Sequence, residues 1–175
     1  MNAKEKIQIG RKEGIHTLSV YVSNKPGVLA RISHIFARRG FNIDSLVVSS
    51  SMMGEYSRMT ITSAGSREKL KQVILQLNKL IDVIHCIEHT GDDAVVREMA
   101  LVKMAASESA DRTSVLQIAE HFRAKTIDLT HSSMILMITG TSSKIDAALE
   151  LLQEFEVVEV VRTGNVVMAR GADET

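Results

Sequence analysis

Across Asn24-Lys25-Pro26-Gly27-Val28-Leu29 the hydrophobic period changes from that of a strand to that of a helix. Upstream, Leu18, Val20 and Val22 alternate with Thr17, Ser19, Tyr21 and Ser23, the period of a half-buried strand. Downstream, Val28, Leu29, Ile32, Ile35 and Phe36 recur at helical spacing, while Arg31, His34 and Arg38 fall on other faces. Pro26, the single proline of the chain, is tolerated where a helix opens, since the N–H it lacks has no intrahelical partner there. Gly27 adds no side chain. The loop can therefore bring bare backbone N–H groups, at the positive end of a helix, up to a small anion such as a carboxylate. The same residue types also serve plain chain reversal, so the surrounding pattern has to decide.

Outward from this turn, Arg38-Arg39-Gly40 supplies a basic helix end and a glycine for the left-handed C-terminal geometry. Residues 41–50 then read as a strand through Ile43, Leu46, Val47 and Val48. Ser49 to Ser51, with Met52, Met53 and Gly54, read as a loop, and Met59 and Ile61 mark a third strand. Leu70, Val73, Ile74 and Leu77 form a second helical stripe, and 81–89 is a fourth strand. The order β-α-β-β-α-β predicts an antiparallel sheet carrying both helices on one face. Gly91, Asp92 and Asp93 break the pattern, after which it repeats. Residues 98–106 are a strand, and Val115, Ile118, Ala119 and Phe122 a helix. Strands follow at 126–129 and 134–138, then a helix through Ile145, Ala148, Leu149 and Leu152. The β-rich segments 157–161 and 166–169 flank a turn at Gly164-Asn165.

The expected fold is α+β, two ferredoxin-like βαββαβ domains. Residues 1–14 form a flexible tail, 15–90 the first domain, 91–97 a linker, 98–171 the second domain and 172–175 a tail. The second strand falls at a sheet edge. An uncovered edge is a template for pairing, which predicts a homodimer by strand addition beside the Asn24–Gly27 loop.

Composition narrows the function. With 175 residues and 45% hydrophobic content the chain can bury a real core, and with 3% aromatics that core is aliphatic. Net charge is zero and no basic block dominates, which argues against a nucleic-acid partner. The split βαβ fold also hosts RNA-binding domains, but the strand 58–62 offers Met and Thr where those stack bases on aromatics. No apolar run reaches signal-peptide or membrane-span length, so no membrane partner and a cytoplasmic setting are expected. One cysteine, Cys86, makes neither an internal disulfide nor a Cys-rich metal site. His85 and His89 are four apart, which on a strand separates them by about 13 Å, too far to share one ion. Gly140-Thr141-Ser142-Ser143-Lys144 lacks the second glycine of a phosphate loop and reads as a helix cap. No Ser, His and Asp set stands in catalytic context.

Asn24-Lys25-Pro26-Gly27-Val28-Leu29, Ala37-Arg38-Arg39-Gly40-Phe41-Asn42-Ile43 and Ser57-Arg58-Met59-Thr60 resemble an amino-acid-sensing ACT domain. Four further stretches follow in the family's order: Leu77-Asn78-Lys79-Leu80-Ile81-Asp82-Val83, Arg97-Glu98-Met99-Ala100-Leu101-Val102-Lys103, Ala119-Glu120-His121-Phe122-Arg123 and Arg162-Thr163-Gly164. With them the chain resembles the regulatory small subunits of acetohydroxyacid (acetolactate) synthase; the loop 51–56 departs from that pattern.

The resemblance implies regulation without catalytic residues or a metal site. The partner is a catalytic large subunit that carries thiamine diphosphate, FAD and magnesium, none of them bound by this chain. The small subunit raises that activity and confers feedback inhibition by a branched-chain amino acid, usually valine. The family's effector lies at a dimer interface. Its loop residues match Asn24 and Gly27, and the neighbouring subunit's match Asn42, with Ile43 beside it. Backbone N–H groups near Gly27, Val28 and Leu29 would take the carboxylate. Oxygen acceptors would take the ammonium, and Val28, Leu29 and Ile43 would form an apolar wall. The alternative is a stand-alone sensor controlling another enzyme or transcription.

Overall fold

The computed structural model describes residues 14–52, 54–90, 93–105, 109–172 and 175. The expected N-terminal tail up to residue 13, Met53 of the second loop, residues 91–92 of the linker, the strand end at 106 and residues 173–174 lie outside them.

The chain folds as β1 (Ile15–Ser23), α1 (Val28–Arg38), β2 (Ser45–Ser50), β3 (Tyr56–Ala64), α2 (Arg67–Leu77) and β4 (Val83–His89). It continues as β5 (Ala94–Ala105), α3 (Ser109–His121), β6 (Lys125–Leu129), β7 (Ser133–Gly140), α4 (Ser142–Leu152), β8 (Val157–Arg162) and β9 (Val166–Ala169). The first sheet has the order β2-β3-β1-β4 and the second β6-β7-β5-β8, with β9 pairing the first part of β5. Every pairing is antiparallel. Two ferredoxin-like units follow from one physical repeat: period-2 strands bury one face under period-3.6 helices.

Two separate cores result. In the first, Leu18, Val20, Val22, Met59, Ile61 and Cys86 from the strands meet Val28, Ile32, Phe36, Leu70, Val73 and Leu77 from the helices. In the second, Ala100, Val102, Met104, Met134, Leu136 and Ile138 meet Val115, Ala119, Ile145, Ala148, Leu149 and Leu152.

Several boundaries differ from the sequence expectation. Strand β2 begins at Ser45 instead of residue 41, because the preceding polar groups bond locally and compete with the ladder. Asn42 donates its side-chain amide to Asp44, whose own carboxylate accepts from Ala64 N–H, and Ser63 donates to Asn42 O. Phe41 turns inward against Gly65, where a Cβ would lie 2.4 Å from its ring. Strand β4 starts at Val83, since Ile81 is fully exposed and Asp82 O is taken by Ser23 N–H.

The segment 91–97, read as linker, contributes Ala94–Arg97 to β5, which pairs there with Val166–Ala169 of β9. Ala94 and Val167 are buried yet belong to neither core. At the two ends of this β5–β9 ribbon the structure touches the helix-free face of the first sheet. Gly164 abuts Ser45, and Thr175, which accepts Ala169 N–H, presents its carbonyl to His85. The ribbon thus lies over that face, where Ser19, Thr60 and Thr62 are buried. Thr175, expected within a free tail, is itself buried at 3% exposure.

Candidate functional site

The loop between β1 and α1 sits at the end of the first sheet marked by the Ser23–Tyr56 pair. Gly27 is the N-cap of α1 with φ +82°, in the left-handed region that a side chain disfavours. The start of α1 has no side-chain cap and no acidic residue in its first turn. Helix starts elsewhere are closed by their own hydroxyls: Ser66 accepts from Lys69 N–H at α2, and Thr141 from Lys144 N–H at α4. At α1, Val28 N–H reaches Lys25 O at 3.4 Å and Arg31 N–H bonds Gly27 O at 3.1 Å. Among the described residues no acceptor takes Leu29 or Ala30 N–H, so two donors at the positive helix end are open to an anion.

Asn24 holds the loop in place. Its N–H donates to Glu55 O at 2.8 Å and its side-chain amide to Gly54 O at 3.1 Å, tying the β1–α1 loop to the β2–β3 hairpin. That hairpin, whose loop departs from the family pattern in sequence, braces the β1–α1 loop. Arg31 was expected on another face, whereas its guanidinium lies 3.4 Å from where a Gly27 Cβ would stand and pairs with Asp82 at 2.5 Å. The signal was its position one helical turn after Gly27.

The remaining predicted residues divide into two groups. Leu29 is exposed beside the loop, but the Val28 side chain lies in the first core, so Val28 offers only backbone and cannot line an apolar wall. Asn42 is exposed and Ile43 half-buried. Both precede Ser45, which pairs with Thr62, itself opposite Thr17 at the far end of β1. Along β1 that end is about 20 Å from Ser23 at roughly 3.3 Å per residue. Within one chain, then, Asn24, Gly27 and Leu29 stand apart from Asn42 and Ile43.

The other sequence candidates take structural places. Cys86 is buried, and desolvation pushes its thiol up to about 12, far from a reactive thiolate. His85 stacks on Tyr21, which also stacks on Tyr56 and lies under Arg58. The His89 side chain is buried and held below the ordinary histidine range by desolvation, opposed by Asp93 and reinforced by Arg58. Among the described residues no group of three or more His, Cys, Asp or Glu is placed to hold a metal, and no helix is long and apolar enough to cross a membrane.

The second unit carries a feature the sequence did not announce. Glu98, 6% exposed, receives Arg162 on both oxygens at 2.6 and 2.8 Å, and Arg162 also reaches Asp146 at 2.6 Å. Burial opposes the charge on Glu98, but the paired hydrogen bonds from Arg162 hold its carboxyl below the usual range.

A split βαβ unit with a Gly-capped, otherwise bare helix start, followed by a second split βαβ unit, has the architecture of an ACT-type regulatory protein. Two family models cover the chain: the AHAS small subunit-like ACT domain over residues 18–85 and the small subunit of acetolactate synthase over residues 97–171. The acetolactate synthase small subunit of Mycolicibacterium smegmatis is 43% identical over 156 residues, 89% of this chain and 91% of that one. The probable small subunit of Archaeoglobus fulgidus is 42% identical over 89% of this chain and 97% of its own. The crystal structure of the Thermotoga maritima small subunit superposes with a TM-score of 0.81 at 37% identity, covering 91% and 99% of the two chains. The chain belongs to the acetolactate synthase small-subunit family, the regulatory partners of the catalytic subunit.

Proposed function

We propose that this chain activates the catalytic large subunit of acetolactate synthase and makes it subject to feedback inhibition by a branched-chain amino acid, valine first. The observation that carries the reading is the bare start of α1 at Gly27, with Leu29 and Ala30 N–H open, at the end of a sheet whose edge strand is β2. A free amino acid brings a carboxylate for those donors and a short aliphatic chain for exposed Leu29.

The site is completed by a second copy. Strand β2 runs parallel to β1, so antiparallel pairing of β2 with its copy brings the start of one β2 beside the end of the other. Asn42 and Ile43 of the partner subunit then arrive at the end of the sheet where Asn24, Gly27 and Leu29 stand. Exposed Val48 on this edge favours such pairing. Because two chains form the site, occupancy favours one dimer geometry, and a coupling of about 1 to 3 kcal/mol is enough for useful inhibition. Discrimination among valine, leucine and isoleucine rests on single methylenes, worth about 1 to 3 kcal/mol each.

In this reading residues 15–90 are the effector unit and 98–171 a second unit, in a cytoplasmic enzyme whose thiamine diphosphate, FAD and magnesium belong to the large subunit. Reconstitution with the cognate large subunit tests it. Stimulation of pyruvate condensation, reversed by valine, is expected; neither stimulation nor valine sensitivity would refute it.

A further inference from the structure

Arg162-Thr163-Gly164-Asn165 leaves β8 as a turn fixed from several sides. Arg162 is forked onto buried Glu98 and reaches Asp146 on α4. Thr163 N–H donates to Met99 O at 3.0 Å and its hydroxyl accepts from Met99 N–H. Ser142, at the start of α4, donates to the Asn165 side chain at 3.0 Å. The turn is therefore a stiff post on the second unit.

Its tip meets the first unit at Ser45. Gly164 is buried, with φ +82°, and a Cβ there would lie 2.6 Å from Ser45 Cβ and 2.7 Å from Ser45 Oγ. Ser45 is the first residue of β2 and shares a 2.5 Å hydrogen bond with Thr62. It follows Asn42, Ile43 and Asp44, a segment whose backbone is held to β3 by Asp44 N–H on Thr62 O and by Ser63 on Asn42 O. A displacement of Asn42 and Ile43 thus has a short, braced path to Ser45, and Ser45 rests on the post.

The surface beside this contact is polar and incompletely hydrogen-bonded among the described residues. The helix-free face under the β5–β9 ribbon buries Ser19, Thr60 and Thr62, and Ser19 Oγ and His89 Nε2 are buried without a hydrogen-bond partner. Unsatisfied polar groups make a weak seal, since each costs about 1 to 3 kcal/mol of desolvation. Gly164 against Ser45 is the tight point in that loose face.

We propose that the Gly164–Ser45 contact transmits effector occupancy from the first unit to the second, with Gly164 and Arg162 as positioning residues. The proposal rests on the effector reading above and adds the route by which the site is felt elsewhere in the chain. It explains why the turn carries glycine where any side chain would strike β2.

The test combines one readout without effector and one with it. Amide exchange of the full-length small subunit is compared between wild type and Arg162→Lys, which keeps the charge and loses the fork. Faster exchange at Ser45 to Val48 is expected, and exchange unchanged there overturns the proposal whatever the effector does. Ser45→Val, which enlarges the contact while leaving Gly164 intact, is then assayed with the large subunit. Valine binding by calorimetry should stay within about threefold of wild type, while half-inhibition shifts by about tenfold, the equivalent of 1.4 kcal/mol. Gly164→Ala should act in the same direction, with partial relief by Ser45→Gly. Inhibition by valine at wild-type concentrations in Ser45→Val overturns the proposal. A wild-type protein that neither binds valine nor responds to it overturns the effector reading, and the exchange result still decides the contact.

Discussion

Helix α1 and helix α4 each follow a strand, yet they begin in opposite ways. At α4, Thr141 accepts Lys144 N–H, and the helix start is closed by its own chain. At α1, Gly27 occupies the cap position with φ +82°, and among the described residues no side chain caps the helix and no acceptor takes Leu29 or Ala30 N–H. The same contrast runs through the two units. The first leaves its polar groups available at a loop and an edge strand; the second locks Glu98, Arg162 and Asp146 together around a turn. The same order of the four main strands thus supports a half with an open helix start and a half with a locked turn, and the difference lies in the loops.

The largest effect is expected from loosening the second unit. Arg162→Ala leaves Glu98 buried without its cation and is expected to destabilise the second unit by about 3 kcal/mol. Thermal unfolding measures the loss, and amide exchange should localise it to β5 and β8 while β1 keeps its protection. A smaller effect is expected at Gly27. Gly27→Ala forces a side chain into the left-handed region at a cost of about 1 to 2 kcal/mol, so thermal stability falls modestly and valine inhibition weakens. Thr141→Ala should cost about 1 kcal/mol in the same melt and leave valine inhibition as it is, since that cap faces no effector.

Most of the fold was legible because the alternation of Leu18, Val20 and Val22 and the spacing of Val28, Ile32 and Phe36 directly encode burial. The missed features depend on contacts distant in sequence. Nothing in the local period reveals that Ala94–Arg97 pairs with Val166–Ala169, since that ribbon exists only once both segments meet. Likewise Val28 belongs to the helical stripe and to the loop alike, and its burial decides which reading holds. The pairing of Arg162 with Glu98 spans 64 residues, beyond any motif.

The smallest expected effect is a difference in acid response between the halves. His89 is held below its ordinary value, so its folded form takes up fewer protons than the unfolded chain, and stability declines as pH drops below about 6.5. Glu98 is also held below its ordinary value, so its contribution is present above about 4.3 and lost as pH falls through its folded value. Melts across pH 3 to 8 should therefore show a mild first loss that His89→Gln flattens and a later one that Glu98→Gln flattens.

In the proposed function the open N–H groups beside Gly27 and the amide of Asn42 serve one effector from two chains. Co-assembly of Asn24→Ala chains with Asn42→Ala chains, followed by valine inhibition of the reconstituted synthase, tests this most directly. Each variant alone should stimulate the large subunit while responding weakly to valine. Mixed dimers place both lesions in one site and leave the other intact, so the mixture should regain part of the valine response. A mixture as insensitive as its two parents would contradict a shared site.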